Sequence, residues 1–203
     1  FSWSDPALSI SFINPSTGWI IRTKMSGGNY NGARVYKTTN SGVSWSKLTI
    51  PSYDAGIYIQ FVDANNGWIL VFNSGYTGGG IFRTTNGGLN WDSVATPAPL
   101  VELTSILIIN DTLAYAGYNA ANTGFGLYVT TDAGLTWNSD GNSATFFYPN
   151  FLTLHKTGNG SIYTGGNSQI GPGIIFSNIN GNSFWMTDAV AHSINDIASY
   201  NDS

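Results

Sequence analysis

The sequence predicts an all-β fold, a β-propeller of four-stranded antiparallel blades. Three observations support this prediction: a motif returns at nearly constant intervals along the 203 residues, each interval holds four short extended runs, and no stretch shows a helical period. Four strands in a period of about 40–50 residues are typical of a propeller blade. A β-helix would need shorter coils, and a sandwich would not repeat its sequence.

A motif ending in tryptophan carries the repeat. Its first copy, residues 38–45, reads Thr-Thr-Asn-Ser-Gly-Val-Ser-Trp, and it returns at 84–91, at 130–137 and, in a longer and degenerate form, at 177–185. The closing tryptophans are separated by 46, 46 and 48 residues. A second marker, Gly-Trp, stands at 18–19 and 67–68, and the last two copies keep only Tyr115 and Tyr163 near that place. The chain therefore contains one structural unit written four times.

Each unit divides into four runs rich in β-branched and aromatic residues, which in the first unit are about 8–13, 18–23, 33–38 and 44–50. We expect blades at about 8–50, 56–97, 101–143 and 149–188. Residues 1–5 resemble the last strand of a further blade, and 193–203 the first strand of another. The chain is thus predicted to be a single propeller domain or a fragment of one, and either to associate through its open blade edges or to be held inside a larger assembly.

The motif has a mechanical explanation, because it lies where the chain reverses between the third and fourth strands. Asn or Asp at its third position can accept hydrogen bonds from nearby backbone N–H groups. Glycine allows a backbone conformation that a Cβ would oppose, and tryptophan offers a large apolar surface for packing. We therefore predict a structural role for Asn40, Gly42, Trp45, Asn86, Gly88, Trp91, Asp132, Gly134, Trp137 and Trp185.

The pattern Gly-Trp, then a strand, then Ile-Phe-Arg-Thr-Thr-Asn-Gly-Gly-Leu-Asn-Trp at 81–91 resembles the Asp-box, or BNR, repeat. It is most similar to the photosystem II stability/assembly factor-like family of bacterial propellers. The resemblance covers nearly the whole chain and is strong in the first three copies. It implies the fold, a structural box on the outer rim and an extracytoplasmic setting. It implies no single activity, because sialidases, xyloglucan-type glycosidases, sorting receptors and adhesins also carry Asp-boxes.

The charge and the cysteine content of the chain exclude several classes of binding partner and site. The net charge is −4, and only 9% of the residues are charged against about 25% in typical domains. Seven basic residues are scattered along the sequence without a cluster, so nucleic acid and anionic membrane surfaces are not expected partners. An assembly factor of the photosynthetic kind would need a basic patch, which this acidic chain does not plainly offer. Cysteine is absent, which excludes disulfides and thiolate metal sites, and no apolar run is long enough to span a bilayer.

An enzymatic site is not predicted. A glycosidase needs two facing carboxylates, but the ten aspartates fall in turns and near strand ends, and Glu102 is the single glutamate. A sialidase needs an arginine triad with a Tyr/Glu pair, whereas the only arginines are Arg22, Arg34 and Arg83. His155 and His192 stand alone, so neither a metal nor a cofactor is expected. The alternative left open is part of a sialidase-like or other glycoside hydrolase propeller, with catalytic groups partly outside this chain.

A binding surface is expected on the loops that join second to third strands, at 24–32, 73–79, 119–124 and 165–173, and on the loops between blades, since these vary most between copies. Tyrosine, asparagine, serine and glycine in these loops are typical of adaptable recognition surfaces. The predicted contact residues are Tyr30, Tyr53, Asp54, Tyr76, Asn119, Phe147 and Tyr148. In the alternative interpretation, Tyr30 and Tyr76 cover a blade seam, and Phe147 and Tyr148 form a strand edge or a plug over the core.

These observations favour a non-catalytic binding or scaffold module of a secreted or cell-surface bacterial protein. Its expected partners are protein or glycan, contacted through the loop face.

Overall fold

The computed structural model describes residues 7–73, 79–96, 102–120, 124–139, 150–156, 161–167, 173–178 and 183–187. These ranges hold sixteen strands and no helix, and so no helix that could cross a bilayer. The strands are β1 (Ala7–Phe12), β2 (Gly18–Ser26), β3 (Asn29–Thr38), β4 (Ser46–Leu48), β5 (Ala55–Phe61), β6 (Gly67–Phe72), β7 (Gly79–Thr84), β8 (Asp92–Val94), β9 (Glu102–Ile108), β10 (Ala114–Ala120), β11 (Gly124–Thr130), β12 (Asn138–Ser139), β13 (Asn150–Lys156), β14 (Ser161–Asn167), β15 (Gly173–Asn178) and β16 (Ser183–Thr187).

The sixteen strands form four antiparallel sheets, β1–β4, β5–β8, β9–β12 and β13–β16, and the strands of each sheet are arranged in chain order. This confirms the predicted all-β propeller blades. We number these sheets as the first to fourth blades. The ladders of the four blades share one register at the Gly-Trp marker. The paired residues are Trp19 with Ser11, Trp68 with Gln60, Tyr115 with Leu107 and Tyr163 with His155. Tyr115 and Tyr163 therefore occupy the tryptophan position.

The chain forms two compact units, Phe1–Thr96 and Pro97–Ser203. In the first unit, β5 packs along β1, β2 and β3, so a single core fills the seam between the first two blades. That core consists of Trp19, Ile21, Val35, Ile59, Phe61, Ile69, Val71 and Phe82. In the second unit, β9 and β10 pack against β13, and Leu107 and Tyr115 form a smaller cluster. The arrangement of all four blades as one domain stays a prediction.

The first strand of each blade contains a one-residue bulge that was not predicted from the sequence. The register skips one residue of β1, β5, β9 and β13 in turn, namely Leu8, Ile57, Thr104 and Leu152. A bulge bends its strand and increases the local twist. It recurs at intervals of 47 to 49 residues without a constant residue type, so no residue-type pattern could have shown it.

The predicted loop at 24–32 is wrong in extent. Residues 24–26 and 29–32 continue β2 and β3, and only Gly27 and Gly28 form the turn, with φ of 58° and 83°. Two central residues with positive φ suit the twist of a two-residue hairpin, and glycine adopts that conformation without steric cost. Asn119 likewise lies within β10, and residues 165–167 within β14. The predictions at 1–5, 193–203, Tyr76, Phe147 and Tyr148 lie outside the described residues.

Candidate functional site

The first Asp-box is a turn held together by its own side chains. Thr38 Oγ1 donates to Asn40 Oδ1 (3.0 Å) and accepts from the Gly42 N–H (3.0 Å). Asn40 Oδ1 also accepts from the Ser44 N–H at 2.9 Å. The indole Nε1–H of Trp45 donates to the Gly42 carbonyl at 3.0 Å. The polar groups of the motif are therefore engaged within the turn, as a structural role requires.

The second box repeats this network, and the third box repeats its threonine and carboxylate bonds. Asn86 Oδ1 and Asp132 Oδ1 take the place of Asn40 Oδ1, and Trp91 donates to the Gly88 carbonyl at 3.1 Å. The threonines at the first motif position, Thr84 and Thr130, are fully buried. These threonines were not among the residues predicted to be structural, although threonine stands at this position in the three strong copies. Trp185, in β16, pairs with Ile175.

Each of the first three boxes rests on the turn between the first two strands of its own blade. The backbone N–H of Ser41 donates to the Ser16 carbonyl, that of Gly87 to Asn65, and that of Ala133 to Thr112, each at 2.9 Å. These first turns are themselves closed by side-chain oxygens of Asn14, Asp63 and Asn110. Asn110, rather than Asp111, is thus the counterpart of Asp63.

The carboxylates of these turns are poor candidates for acid catalysis. The Thr136 hydroxyl donates to Asp132 Oδ2 at 2.6 Å, and with further hydrogen bonds it lowers the pKa of Asp132 to about 2. The side-chain amide and backbone N–H of Asn66 lower the pKa of Asp63. A general acid needs a raised pKa, and both shifts run the other way. Within the described ranges, no group of three or more His, Asp or Glu residues could hold a metal ion.

The hairpin that carries the predicted contact residue Tyr30 is bonded to the loop that carries Tyr53 and Asp54. The Gly32 and Ala33 N–H groups donate to the carbonyls of Asp54 and Tyr53, each at 2.8 Å. This pair of bonds attaches the loop between the first two blades to the β2–β3 hairpin. We call residues 24–31 of this hairpin, together with Tyr53, Asp54 and Phe72, the hairpin face.

The two tyrosines of the hairpin face differ in accessibility. Tyr53 packs against the seam core, where its ring is inclined to that of Phe82 at 5.4 Å between centroids. A Cβ at Gly80 would meet the Tyr53 hydroxyl at 2.9 Å, so this glycine makes room for the ring. Tyr30 is 44% exposed and packs edge to face with Phe72 of the second blade, 5.6 Å between centroids. Tyr53 therefore covers the seam, whereas Tyr30 lies over it and still presents a ring surface to solvent.

Basic residues are more clustered than the sequence suggested. Arg22 pairs with Arg34 across β2 and β3, and Lys24 lies two residues further along β2. Residues 1–96 contain six basic and four acidic residues, a charge of +2, whereas residues 97–203 contain one and seven, a charge of −6. The hairpin face thus belongs to the positively charged half of an acidic chain.

Solved structures share this fold. YCF48 bound to D1 peptide is 20% identical, with a TM-score of 0.64, over 91% of this chain and 54% of that chain. A GH74 enzyme from Niastella koreensis is 13% identical (TM-score 0.70) over 89% of this chain and 30% of that one. A Hadza microbial sialidase is 12% identical (TM-score 0.59) over 87% of this chain and 43% of that one.

The chain therefore spans about half the length of YCF48 and less of the other two. No protein-family model matches the sequence, and no curated protein does. At these identities the likeness is one of fold, an Asp-box β-propeller, and this fold carries both a peptide-binding protein and enzymes.

Proposed function

We propose that this chain is a non-catalytic binding or scaffold module of a secreted or cell-surface bacterial protein, which contacts a protein or glycan through the hairpin face. The observation that carries the proposal is the placement of Tyr30. Its ring is exposed, yet it is supported by Phe72 of the next blade and stands on a hairpin anchored at Gly32 and Ala33. An aromatic side chain held in this way loses little conformational entropy on binding.

The rest of the hairpin tip suits recognition. Residues 26–31 read Ser-Gly-Gly-Asn-Tyr-Asn, and all are exposed. Serine and asparagine supply adaptable hydrogen bonds, and tyrosine supplies contact area against a peptide or a sugar ring. Because the tip belongs to two paired strands instead of a loose loop, its groups are positioned before a ligand arrives.

A protein segment is the first candidate partner. Lys24 on the hairpin, together with the charge of +2 on residues 1–96, favours a ligand with acidic or neutral polar groups. YCF48, which shares the fold, has been solved with a bound peptide. A glycan is the second candidate, because exposed tyrosine and asparagine also serve sugar binding. An extracytoplasmic location is proposed from the low charged content and the Asp-box resemblance.

The enzyme alternative has no supporting observation among the described residues. Asp63 and Asp132 are committed to turns, and the other described aspartates, Asp54, Asp92 and Asp111, form no metal-ligand group with histidine or glutamate. A hydrolase made from this fold would need two carboxylates facing each other across the scissile bond.

The test is a binding screen of the purified chain against immobilised glycans and synthetic peptides of varied charge. For any ligand found, titration calorimetry would compare wild type with Tyr30→Ser and with Val43→Ser, an 85% exposed rim residue that serves as the control. We expect Tyr30→Ser to weaken binding by about tenfold or more and Val43→Ser to leave it unchanged. An affinity unchanged by Tyr30→Ser would overturn the assignment of the hairpin face as the binding surface. Turnover of sialoside or xyloglucan substrates by this chain would overturn the non-catalytic assignment.

A further inference from the structure

Three Asn-Gly sequences lie within the described ranges, at 31–32, 66–67 and 86–87. In such a dipeptide the backbone nitrogen of the glycine can attack the side-chain amide carbon of the asparagine, because glycine has no side chain to hinder the approach. The attack closes a succinimide ring. Since it is intramolecular, its rate depends on how readily the fold lets the two atoms meet.

Two of the three asparagines are held by hydrogen bonds. Asn86 Oδ1 accepts from the Thr84 hydroxyl and from the Asn90 N–H, each at 2.9 Å. The side-chain amide of Asn66 donates to Asp63 Oδ2, also at 2.9 Å. Turning either amide carbon toward the nitrogen of the following glycine would break these bonds.

The glycines that follow these two asparagines are also enclosed, whereas Gly32 is not. Gly67 and Gly87 are buried. A Cβ on Gly67 would meet the Phe61 ring at 2.5 Å, and one on Gly87 would meet the Ala64 carbonyl oxygen at 2.8 Å. At Gly32 a Cβ would meet nothing within 4 Å. The space that a succinimide ring needs is therefore open at the first Asn-Gly sequence.

Asn31 is the asparagine without such restraints. It is exposed, and no other described residue is bonded to its side chain. Asn31 and Gly32 together form a β-bulge in β3, where both stand opposite Lys24 of β2. A bulge disrupts the ladder locally, and Gly32 has a positive φ of 120°. The backbone here already departs from the extended strand.

We propose that Asn31 is a site of spontaneous deamidation, and that this modification releases the anchor of the β2–β3 hairpin. The Gly32 nitrogen attacks Cγ of Asn31 and loses its proton to water, while Nδ2 takes up a proton and leaves as ammonia. Water then opens the succinimide at either of its carbonyl carbons, which gives an aspartate or an isoaspartate. In the net reaction water is consumed, ammonia is released and no electrons are transferred.

The attacking nitrogen belongs to the hairpin anchor. The Gly32 N–H donates to the Asp54 carbonyl at 2.8 Å, beside the bond from Ala33 to Tyr53. That bond must open before the attack, so the reaction starts from a locally opened state. In the succinimide the Gly32 nitrogen carries no hydrogen and cannot donate. In the isoaspartyl product an additional main-chain carbon displaces it from Asp54, so the anchor stays weakened.

The product also changes the hairpin face. A carboxylate replaces a neutral amide opposite Lys24, and the weakened anchor no longer positions Tyr30. Deamidation should therefore lower the affinity of the hairpin face for its ligand. This last step alone rests on the proposed function, because the measurements below need no ligand.

Peptide mapping by mass spectrometry measures the modification during incubation of the purified chain at mildly alkaline pH. Asn86 is the matched internal control, since the Gly87 N–H is bonded at 2.9 Å much as the Gly32 N–H is. We expect Asn31 to deamidate faster than Asn86 by about tenfold or more, because only the Asn86 side chain must also be released. Asn31→Gln, whose longer side chain would have to close a larger ring, should abolish the reaction at this position.

The same chain unfolded in guanidinium chloride separates the effect of structure from that of sequence. Without the fold, the three Asn-Gly sequences should react at similar rates. A native rate at Asn31 no greater than at Asn86 would overturn the proposal. So would an excess of Asn31 over Asn86 that persists in the denaturant.

Hydrogen exchange tests the release of the anchor. The deamidated chain carries an added negative charge, so anion exchange separates it from the intact chain. In its isoaspartyl form the Ala33 N–H should exchange about tenfold faster or more, whereas the Gly42 N–H, bonded within the first box, should not change. Asn31→Asp keeps the main-chain length and is the control that should leave Ala33 unchanged. Unaltered exchange of Ala33 in the isoaspartyl chain would overturn the release of the anchor.

Discussion

The indole of Trp19 lies parallel to the ring of Phe61, with 3.7 Å between the centroids and 5° between the planes. The same indole donates its Nε1–H to the Gly87 carbonyl of the second box at 3.1 Å, and Lys37 Nζ lies 4.8 Å from the indole centroid. One side chain of the first blade thus joins the core and the box of the second blade.

The stacked pair should be energetically coupled. Trp19→Ala should lower the free energy of unfolding by about 3–5 kcal/mol, as for other large buried aromatic residues. A double-mutant cycle with Phe61→Leu should show a coupling of about 0.5–1.5 kcal/mol between the two rings. The measurement is urea unfolding of the four proteins in the cycle. As a control, Trp19→Ala and Val43→Ala should act additively, and a zero coupling in the first cycle would contradict the role of the stack.

Gly67 should not tolerate alanine. A Cβ at this position would lie 2.5 Å from the Phe61 ring, which is held between Trp19 and Trp91 and has little room to move. We expect Gly67→Ala to reduce the free energy of unfolding by about 1–3 kcal/mol through overpacking.

The third blade suggests a rescue of this variant. It has Ala114 opposite Ile108, where the second blade has Gly67 opposite Phe61. The double variant Gly67→Ala/Phe61→Ile should therefore lose less stability in urea than the sum of the two single changes. Strict additivity would show that the clash is not with Phe61.

Gly87 and Ser41 occupy the same box position with positive φ, 73° and 59°, but they should respond differently to alanine. A Cβ at Gly87 would lie 2.8 Å from the Ala64 carbonyl oxygen and 3.0 Å from Lys37 Nζ. Because the oxygen belongs to the backbone, we expect Gly87→Ala to cost about 1–3 kcal/mol. Ser41 already has a Cβ, so Ser41→Ala should change the thermal unfolding midpoint little. Equal losses of stability in Gly87→Ala and Ser41→Ala would contradict this explanation.

The third box should make stability depend on pH in the acidic range. The hydrogen bonds from Thr136 and Thr130 lower the folded-state pKa of Asp132 to about 2, below the ordinary aspartate value of 3.8. A lowered folded-state pKa contributes stability above the unfolded pKa, and this contribution is lost as the pH falls from about 4 toward 2. Asp132→Asn gives the third box the asparagine that the first two boxes have. It should reduce the dependence of the free energy of unfolding on pH below pH 4.

The measurement is the unfolding midpoint in urea between pH 6 and pH 2. Asp111→Asn is the charge-matched control, because Asn110 accepts the hydrogen bonds that close its turn. If Asp132→Asn and wild type lose stability in parallel below pH 4, the box carboxylate does not contribute to acid sensitivity.

Hydrogen-bonded turns are the part of the fold that sequence predicts best. The bonds that close the first box join residues 38 to 45, so residue type and spacing within eight positions are enough to recognise it. The candidate binding site could be predicted less well from residue type and spacing. Asp54 and Tyr53 contact the hairpin through backbone carbonyls, which every residue type possesses, and only the tertiary structure shows that Tyr30 is more accessible than Tyr53.

By itself, the sequence determined the blade type, the number of repeats and the positions of the boxes, because each depends on short-range periodicity and local hydrogen bonding. Only the tertiary structure decided which aromatic residues meet. Trp19 and Gly87 are 68 positions apart, and Ile10 and Ile59 have the same residue type but opposite burial. The physical reason is that contact and burial depend on which blade covers each face, and that cover comes from distant segments.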